Sequence, residues 1–317
     1  RRISPKPWSA MSLPDLITSS RATQNSSLAA LNTSNPTYLA SLITAASDVV
    51  RRVCNRDFSQ TSYTEYYSGG IYIREPLRLR QFPVLEITRI ATNPQPALLV
   101  QNVDPGSNQR ATIETTTTGL RLFRMSMATP VTVDLASATY PTLSAMAGAV
   151  NSQGNGWSAQ VLDQLANWPS ADLKPLQGAA MALYGGRQLE LYTEDLQPFV
   201  TWPPGDPWGE EAGYQSFTGW RLDDETGEVY GRFPRGQLNV RIDYSAGFAT
   251  IPQAVQEACV QLVLDLYNAG LVNNTLKKAT LGSGSFELKN DNQTASLSAK
   301  VSLLLAPFVD YSRVIFR

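Results

Sequence analysis

The stretch Val240 to Gly270, VRIDYSAGFATIPQAVQEACVQLVLDLYNAG, constrains this chain more than any other. Val240 and Ile242 alternate with Arg241 and Asp243, which predicts a strand with one buried face. Gly247 permits the positive φ of a tight turn. Pro252 then opens a helix, where its missing N–H costs nothing, and Thr250 and Gln253 have the spacing of a capping box. Val255, Ala258, Cys259, Leu262, Val263, Leu266 and Tyr267 follow at steps of three and four, the stripe of an amphipathic helix. Gly270 stands where a left-handed terminal residue is expected. Burying that stripe contributes roughly 10 kcal/mol before entropy, at about 1.5–3 kcal/mol per large apolar side chain. Val260 and Leu264 lie off the main stripe, so the helix is apolar on a second side. A second layer of the same chain or a neighbouring subunit would each cover it.

Composition removes whole classes of chemistry. The 317 residues include no histidine, the commonest general base and metal ligand, so Ser-His-Asp and Cys-His nucleophile arrangements are excluded. Two cysteines are too few for a Cys/His zinc site in one chain. Cys54 and Cys259 each fall in a helical stripe and read as small buried hydrophobes, with a disulfide between them as the lesser alternative. No cofactor is expected. Twenty-six basic against 27 acidic residues, a net charge of -1, do not make the basic surface of a protein that grips nucleic acid. No 18-residue apolar run predicts a membrane span, and no apolar segment near Arg1 predicts a secretory signal. The first residue is not Met, from which we expect that residues once preceded it.

Four regions are expected along the chain. Residues 1–34, rich in Ser, Thr, Asn and Pro, read as an extended N-terminal arm with one or two helical turns at most. Residues 35–106 and 226–306 read as a discontinuous helical core domain with strands. Within it, Asn35 and Pro36 start a helix whose stripe runs from Leu39 to Cys54, and Arg51, Arg52 and Arg56 suit its C-terminus. Strands follow from Tyr63, punctuated by Gly69-Gly70, Pro83 and Pro94-Gln95-Pro96. Residues 107–225 read as an inserted, β-rich α+β domain, with alternation around Ile113, Leu122 and Val133, a small helix from Pro141, and a strand from Trp157. Beyond Gly270, GSGS and NDNQTAS read as a flexible connection to a last helix stopped by Pro307. Residues 307–317 form an extended, apolar docking tail. The fold class expected is therefore α+β, a helical core with long helices near both ends, strands, and the insert.

Two local features suggest other activities. Asp223, Asp224, Glu225 and Glu228 supply carboxylates for glycoside hydrolysis or a divalent cation, yet an acidic tip between two alternating strands is also ordinary turn chemistry. Trp157, Trp168, Trp202, Trp208 and Trp220 are stacking platforms for a carbohydrate- or surface-binding module, or else core residues and loop anchors.

The segments NPTYLASLITAASDVVRRVCNRDF, LRLRQFPVLEITRI, NVRIDYSAGFATIPQAVQEACVQLVLDLY and SLLLAPFVDYSR together resemble the head–tail adaptor (connector, or neck ring) proteins of tailed phages. The resemblance covers roughly residues 35–104 and 228–317, and the insert is longer than in compact members. It implies a helical adaptor core with a β appendage, in a homo-oligomeric ring of twelve copies in the virion neck, assembled in the host cytoplasm. It also implies a portal protein as one partner and a tail, tail-terminator or stopper protein as the other, with DNA passing through the lumen without sequence-specific binding. Carried onto this chain, Phe308, Tyr311, Arg313, Val314, Ile315 and Phe316 become candidate portal contacts. Val260, Leu264, Arg51 and Arg52 become candidate subunit contacts.

Overall fold

The computed structural model describes residues 14–69, 76–126, 129–198, 219–224, 226–231, 233–271, 278–281, 284–287 and 298–309. The chain divides into two compact units. One comprises Arg1–Thr61, Arg80–Pro83 and Ala246–Arg317, the other Ser62–Leu79 and Val84–Ser245.

The first unit is built on two helices of 19 residues, Pro36–Cys54 and Gln253–Leu271. The Asn35 side chain accepts the Tyr38 N–H, and Pro36 occupies the first turn where no partner for its nitrogen is needed. At the other end Asn55 turns left-handed, φ 53°, and its N–H donates to the Arg51 carbonyl. Leu39, Ile43, Ala46 and Val50 on the first helix share one core with Val255, Ala258 and Val263 on the second. The second helix continues past Gly270 to Leu271, so that glycine does not end it. Gln256 sends its side-chain amide to the Ile251 carbonyl at 2.8 Å, in place of a box between Thr250 and Gln253. The short helix Ala299–Leu305, capped by Ser298, adds Val301 and Leu305 to the same core.

The N-terminal region is more helical than its composition predicts. Helices Ser19–Ala22 and Ser26–Ser34 start at Thr18 and Asn25, whose side chains accept the N–H groups of Arg21 and Ser27. The polar residues that read as loop are the caps that start these helices. Leu16, Ile17, Leu28 and Leu31 are buried in the core.

The second unit is organised around one strand, Val84–Asn102, which is 19 residues long. It pairs antiparallel with Arg187–Leu196 through residues 90–100, and with Trp157–Val161 through residues 98–102. Gly236–Ala246 also lies beside it, and Thr61–Gly69 beyond that. Pro94 and Pro96 do not interrupt this strand. Pro94 pairs in register with Tyr192, and Pro96 sits at the edge of a register shift with Arg187–Leu196, between Pro96 and Leu98, where a bulge accommodates it. A four-stranded antiparallel sheet comprises Pro130–Ala136, Gly119–Ser126, Asn108–Thr116 and Ala180–Met181 in that order. Its inner side packs with Leu98, Val100 and the helix Leu143–Ser152, through Ile113, Leu122, Leu135 and Met146. A three-stranded sheet holds the hairpin Trp220–Asp223 and Glu228–Gly231 beside Leu77–Arg78. Residues 271–295, expected as a plain connection, contain the hairpin Lys278–Leu281 and Gly284–Glu287.

These elements correct the expected fold class. Of the described residues, 41% are strand and 30% helical, so the chain is mostly β and is not a helical adaptor core. Among the described residues, the α-helices nearest the two ends are short, four residues at Ser19–Ala22 and seven at Ala299–Leu305. A helix of 19 residues announces itself through a continuous stripe. The strands carry alternation broken by prolines, bulges and half-buried positions, and their total length was underestimated for that reason.

Candidate functional site

Near the last described residues of the first unit, three aromatic rings meet. Phe58 follows the Pro36–Cys54 helix, Phe248 follows the turn at Gly247, and Phe308 ends the last helical turn. Phe58 and Phe248 stack at 6.2 Å between centroids, and Phe308 meets both edge-on, at 5.8 and 6.4 Å. The Phe248 N–H donates to the Phe58 carbonyl at 2.9 Å, which fixes the first two rings relative to each other. Gly247 reaches this position at φ +110°, and a Cβ there would stand 2.4 Å from the Ser59 carbonyl oxygen. Phe308 and Val309 are half-buried against the core. Of the candidate portal contacts, only Phe308 falls on the described residues. Tyr311, Arg313, Val314, Ile315 and Phe316 lie outside them.

The candidate subunit contacts have three different environments. Val260 is 9% exposed and belongs to the core of its own unit, with Leu264 half-buried at the margin of that core. The second apolar side of the Gln253–Leu271 helix is thus covered within the chain. Arg51 is buried, with Nε donating to Asp57 Oδ1 at 3.2 Å and its amino groups reaching Asp48 and the Pro14 carbonyl. Asp57 Oδ1 also accepts the Phe58 N–H at 2.8 Å, and the Asp57 N–H donates to Gln81 at 2.9 Å. Arg51 therefore supports the Phe58 turn. Arg52, one residue on, is exposed. Sequence reasoning missed Asp57, and it read Arg56 only as a helix-end charge, whereas the guanidinium sits 4.1 Å from the Phe82 ring centroid. The only available signal was their closeness to a basic helix end.

Cys54 and Cys259 are buried in this unit as free thiols. Burial pushes each thiol up to about 11, with Arg56 opposing the effect on Cys54 and a hydrogen bond from Ser47 opposing it on Cys259. Thiols this protonated have no nucleophilic use at neutral pH.

In the second unit, the acidic hairpin is spent on its own geometry. Asp223 Oδ1 accepts the Thr226 N–H at 3.3 Å, the Asp223 carbonyl accepts the Gly227 N–H, and Glu228 accepts the Tyr230 hydroxyl at 2.8 Å. Glu225 lies outside the described residues. Among the described residues, no group of three or more His, Cys, Asp or Glu side chains is placed to hold a metal.

A stronger charge cluster went unpredicted. Asp172, nearly buried, takes a two-pronged bond from Arg89 at 2.7 and 3.0 Å and a third from Arg241 at 2.6 Å. Arg89 also bonds Asp195 at 2.7 Å, and Arg241 bonds Asp243 at 3.1 Å. Hydrogen bonding to Asp172 raises the Arg89 guanidinium further above its ordinary value. Every group in this cluster is paired, so its role is to tie the Ser170–Asp172 turn to the central sheet.

The tryptophans divide sharply. Trp157 is a core residue, and Trp220 donates its indole N–H to the Leu196 carbonyl at 3.0 Å. Trp202 and Trp208 lie outside the described residues. Trp168 is half-buried and lines an open cleft of about 620 Å3 with Gln95, Pro96, Leu162, Asp163, Leu165, Gln188 and Thr193. A neighbouring hollow of about 320 Å3, lined in part by Lys174, Arg187 and Gln237, shares Gln188 with it.

No protein-family model matches the chain, and no curated protein matches it. Among the described residues, no helix is long and apolar enough to cross a membrane.

Proposed function

We propose that this chain is a structural virion protein, a head–tail adaptor that sits in a ring beneath a portal, links capsid to tail and surrounds the DNA path. One observation supports the reading most. Three separated segments that carry the resemblance, around residues 36–58, 246–267 and 302–309, gather into one unit with one core. That unit also holds the root of the C-terminal tail in the Phe58, Phe248 and Phe308 cluster, leaving Tyr311, Val314, Ile315 and Phe316 as the portal-docking segment. The ring of twelve rests on the resemblance. Arg52 is exposed and suits a subunit contact, whereas Val260 and Arg51 have their partners inside the chain.

The test is electron microscopy of the full chain alone and mixed with a portal protein of the same phage. A ring seated on the portal is expected with the full chain, and loss of that ring when the chain is cut after Val309. Undiminished portal binding by the shortened chain would remove the docking role. A single copy per particle would remove the ring.

A further inference from the structure

We infer that the cleft around Trp168 is an oligosaccharide-binding site, independent of the adaptor reading. Its lining includes the half-buried Trp168 and Leu165, both packed against the core. The polar lining residues are Gln95, Asp163, Gln188 and Thr193. A sugar ring presents the matching chemistry, a C–H face that stacks on an aromatic ring and hydroxyls that bond amides and carboxylates in pairs. At about 620 Å3 the cleft lies within the ~300–1,000 Å3 usual for small-ligand sites.

The chain holds these groups in place before any ligand arrives. The bulge between Pro96 and Leu98 re-aims the strand beside Gln95. The Gln95 amide donates to Asn93 Oδ1 at 2.9 Å, and the Thr193 hydroxyl donates to the Asn93 carbonyl at 2.8 Å. Both side chains keep an oxygen able to accept from a hydroxyl. The Trp168 backbone N–H donates to the Leu165 carbonyl at 3.0 Å, and the Trp168 carbonyl accepts the Leu143 N–H at 2.9 Å, so the main chain that carries the indole is fixed. Asp163 is held at φ 50°, a left-handed conformation next to the cleft.

The one ionisable side chain among the residues lining this cleft is Asp163, an acid that repels a phosphate placed beside it, whereas Lys174 and Arg187 belong to the adjoining hollow. Gln188 also borders the adjoining hollow, giving a chain of sugars a route beyond the first ring.

The experiment is a glycan microarray probed with the full chain, followed by calorimetry with the strongest hit. Retention of at least one oligosaccharide is expected, with affinity reduced at least tenfold in Gln188→Ala and in Trp168→Ala. Gln188 is exposed, so Gln188→Ala should keep the parent melting temperature, and Trp168→Tyr should retain part of the affinity by preserving an aromatic face. An array without a retained glycan overturns the proposal. So does a retained glycan whose affinity neither Gln188→Ala nor Trp168→Tyr alters.

Discussion

Phe308 meets Phe58 edge-on, their centroids 5.8 Å apart and their planes at 74°. This contact joins the end of the last helical turn to the short segment that follows the first long helix. It makes the root of the tail part of the fold. Phe308→Ala should therefore destabilise the chain by about 2 kcal/mol, below the ~3–5 kcal/mol of a fully buried Phe because the ring is half-buried. Chemical denaturation followed by circular dichroism measures this. A cut after Val309 should leave the midpoint where it was, which separates anchoring from docking.

Gly247→Ala should be more severe than its size suggests. The added methyl would lie 2.4 Å from the Ser59 carbonyl at a φ of +110°, and Gly247 also donates its N–H to Pro83 at 3.0 Å. A loss on the order of 3 kcal/mol is expected, as strain and backbone displacement add. Gly148→Ala, with nothing within 4 Å, is the control and should match or exceed parent stability.

The Asp172 cluster predicts a contrast between two ion pairs. Asp172→Ala leaves Arg89 with Asp195 and Arg241 with Asp243 but removes three short charged hydrogen bonds in a mostly buried site, and should cost about 2–3 kcal/mol. Asp134→Ala removes an equally short contact to Arg121, but both side chains are well exposed, and less than about 1 kcal/mol should be lost. Urea midpoints of the two variants, compared with parent, decide it.

Alkaline pH should unfold the first unit more readily. The buried thiols of Cys54 and Cys259 are raised to about 11 from an ordinary value of 9.0, so the folded state holds their protons more tightly. Stability from this source is complete below pH 9 and declines as pH rises from 9 to 11. Cys54→Ala/Cys259→Ala should flatten that decline. At pH 7.5 a maleimide should label neither thiol until denaturant is added, as read by mass spectrometry.

Much of the first unit was legible because its signals are local. Asn35-Pro36, the stripe from Leu39 to Cys54 and the stripe from Val255 to Val263 each specify a helix within a few turns, and Asn55 ends the first with its own left-handed residue. The overall class was misread where the evidence is non-local. Pro94 and Pro96 look like punctuation, and only the register shift opposite Glu190 and Leu189 shows that the strand runs through them. Likewise Val260 looked like surplus surface because the residues that share its core lie far from it along the chain. The candidate site was legible only in part. Nothing in the spacing of five tryptophans distinguishes Trp168 from Trp157, since cleft and core are decided by neighbours far along the chain.

The strand Val84–Asn102 has one mechanical consequence. Its ladder bonds run across its length, and partners flank it on both edges. A pull along its axis loads those bonds in shear, together, instead of peeling them one after another. A polypeptide built around such a spine should yield last at its centre when stretched, surrendering its helical ends first.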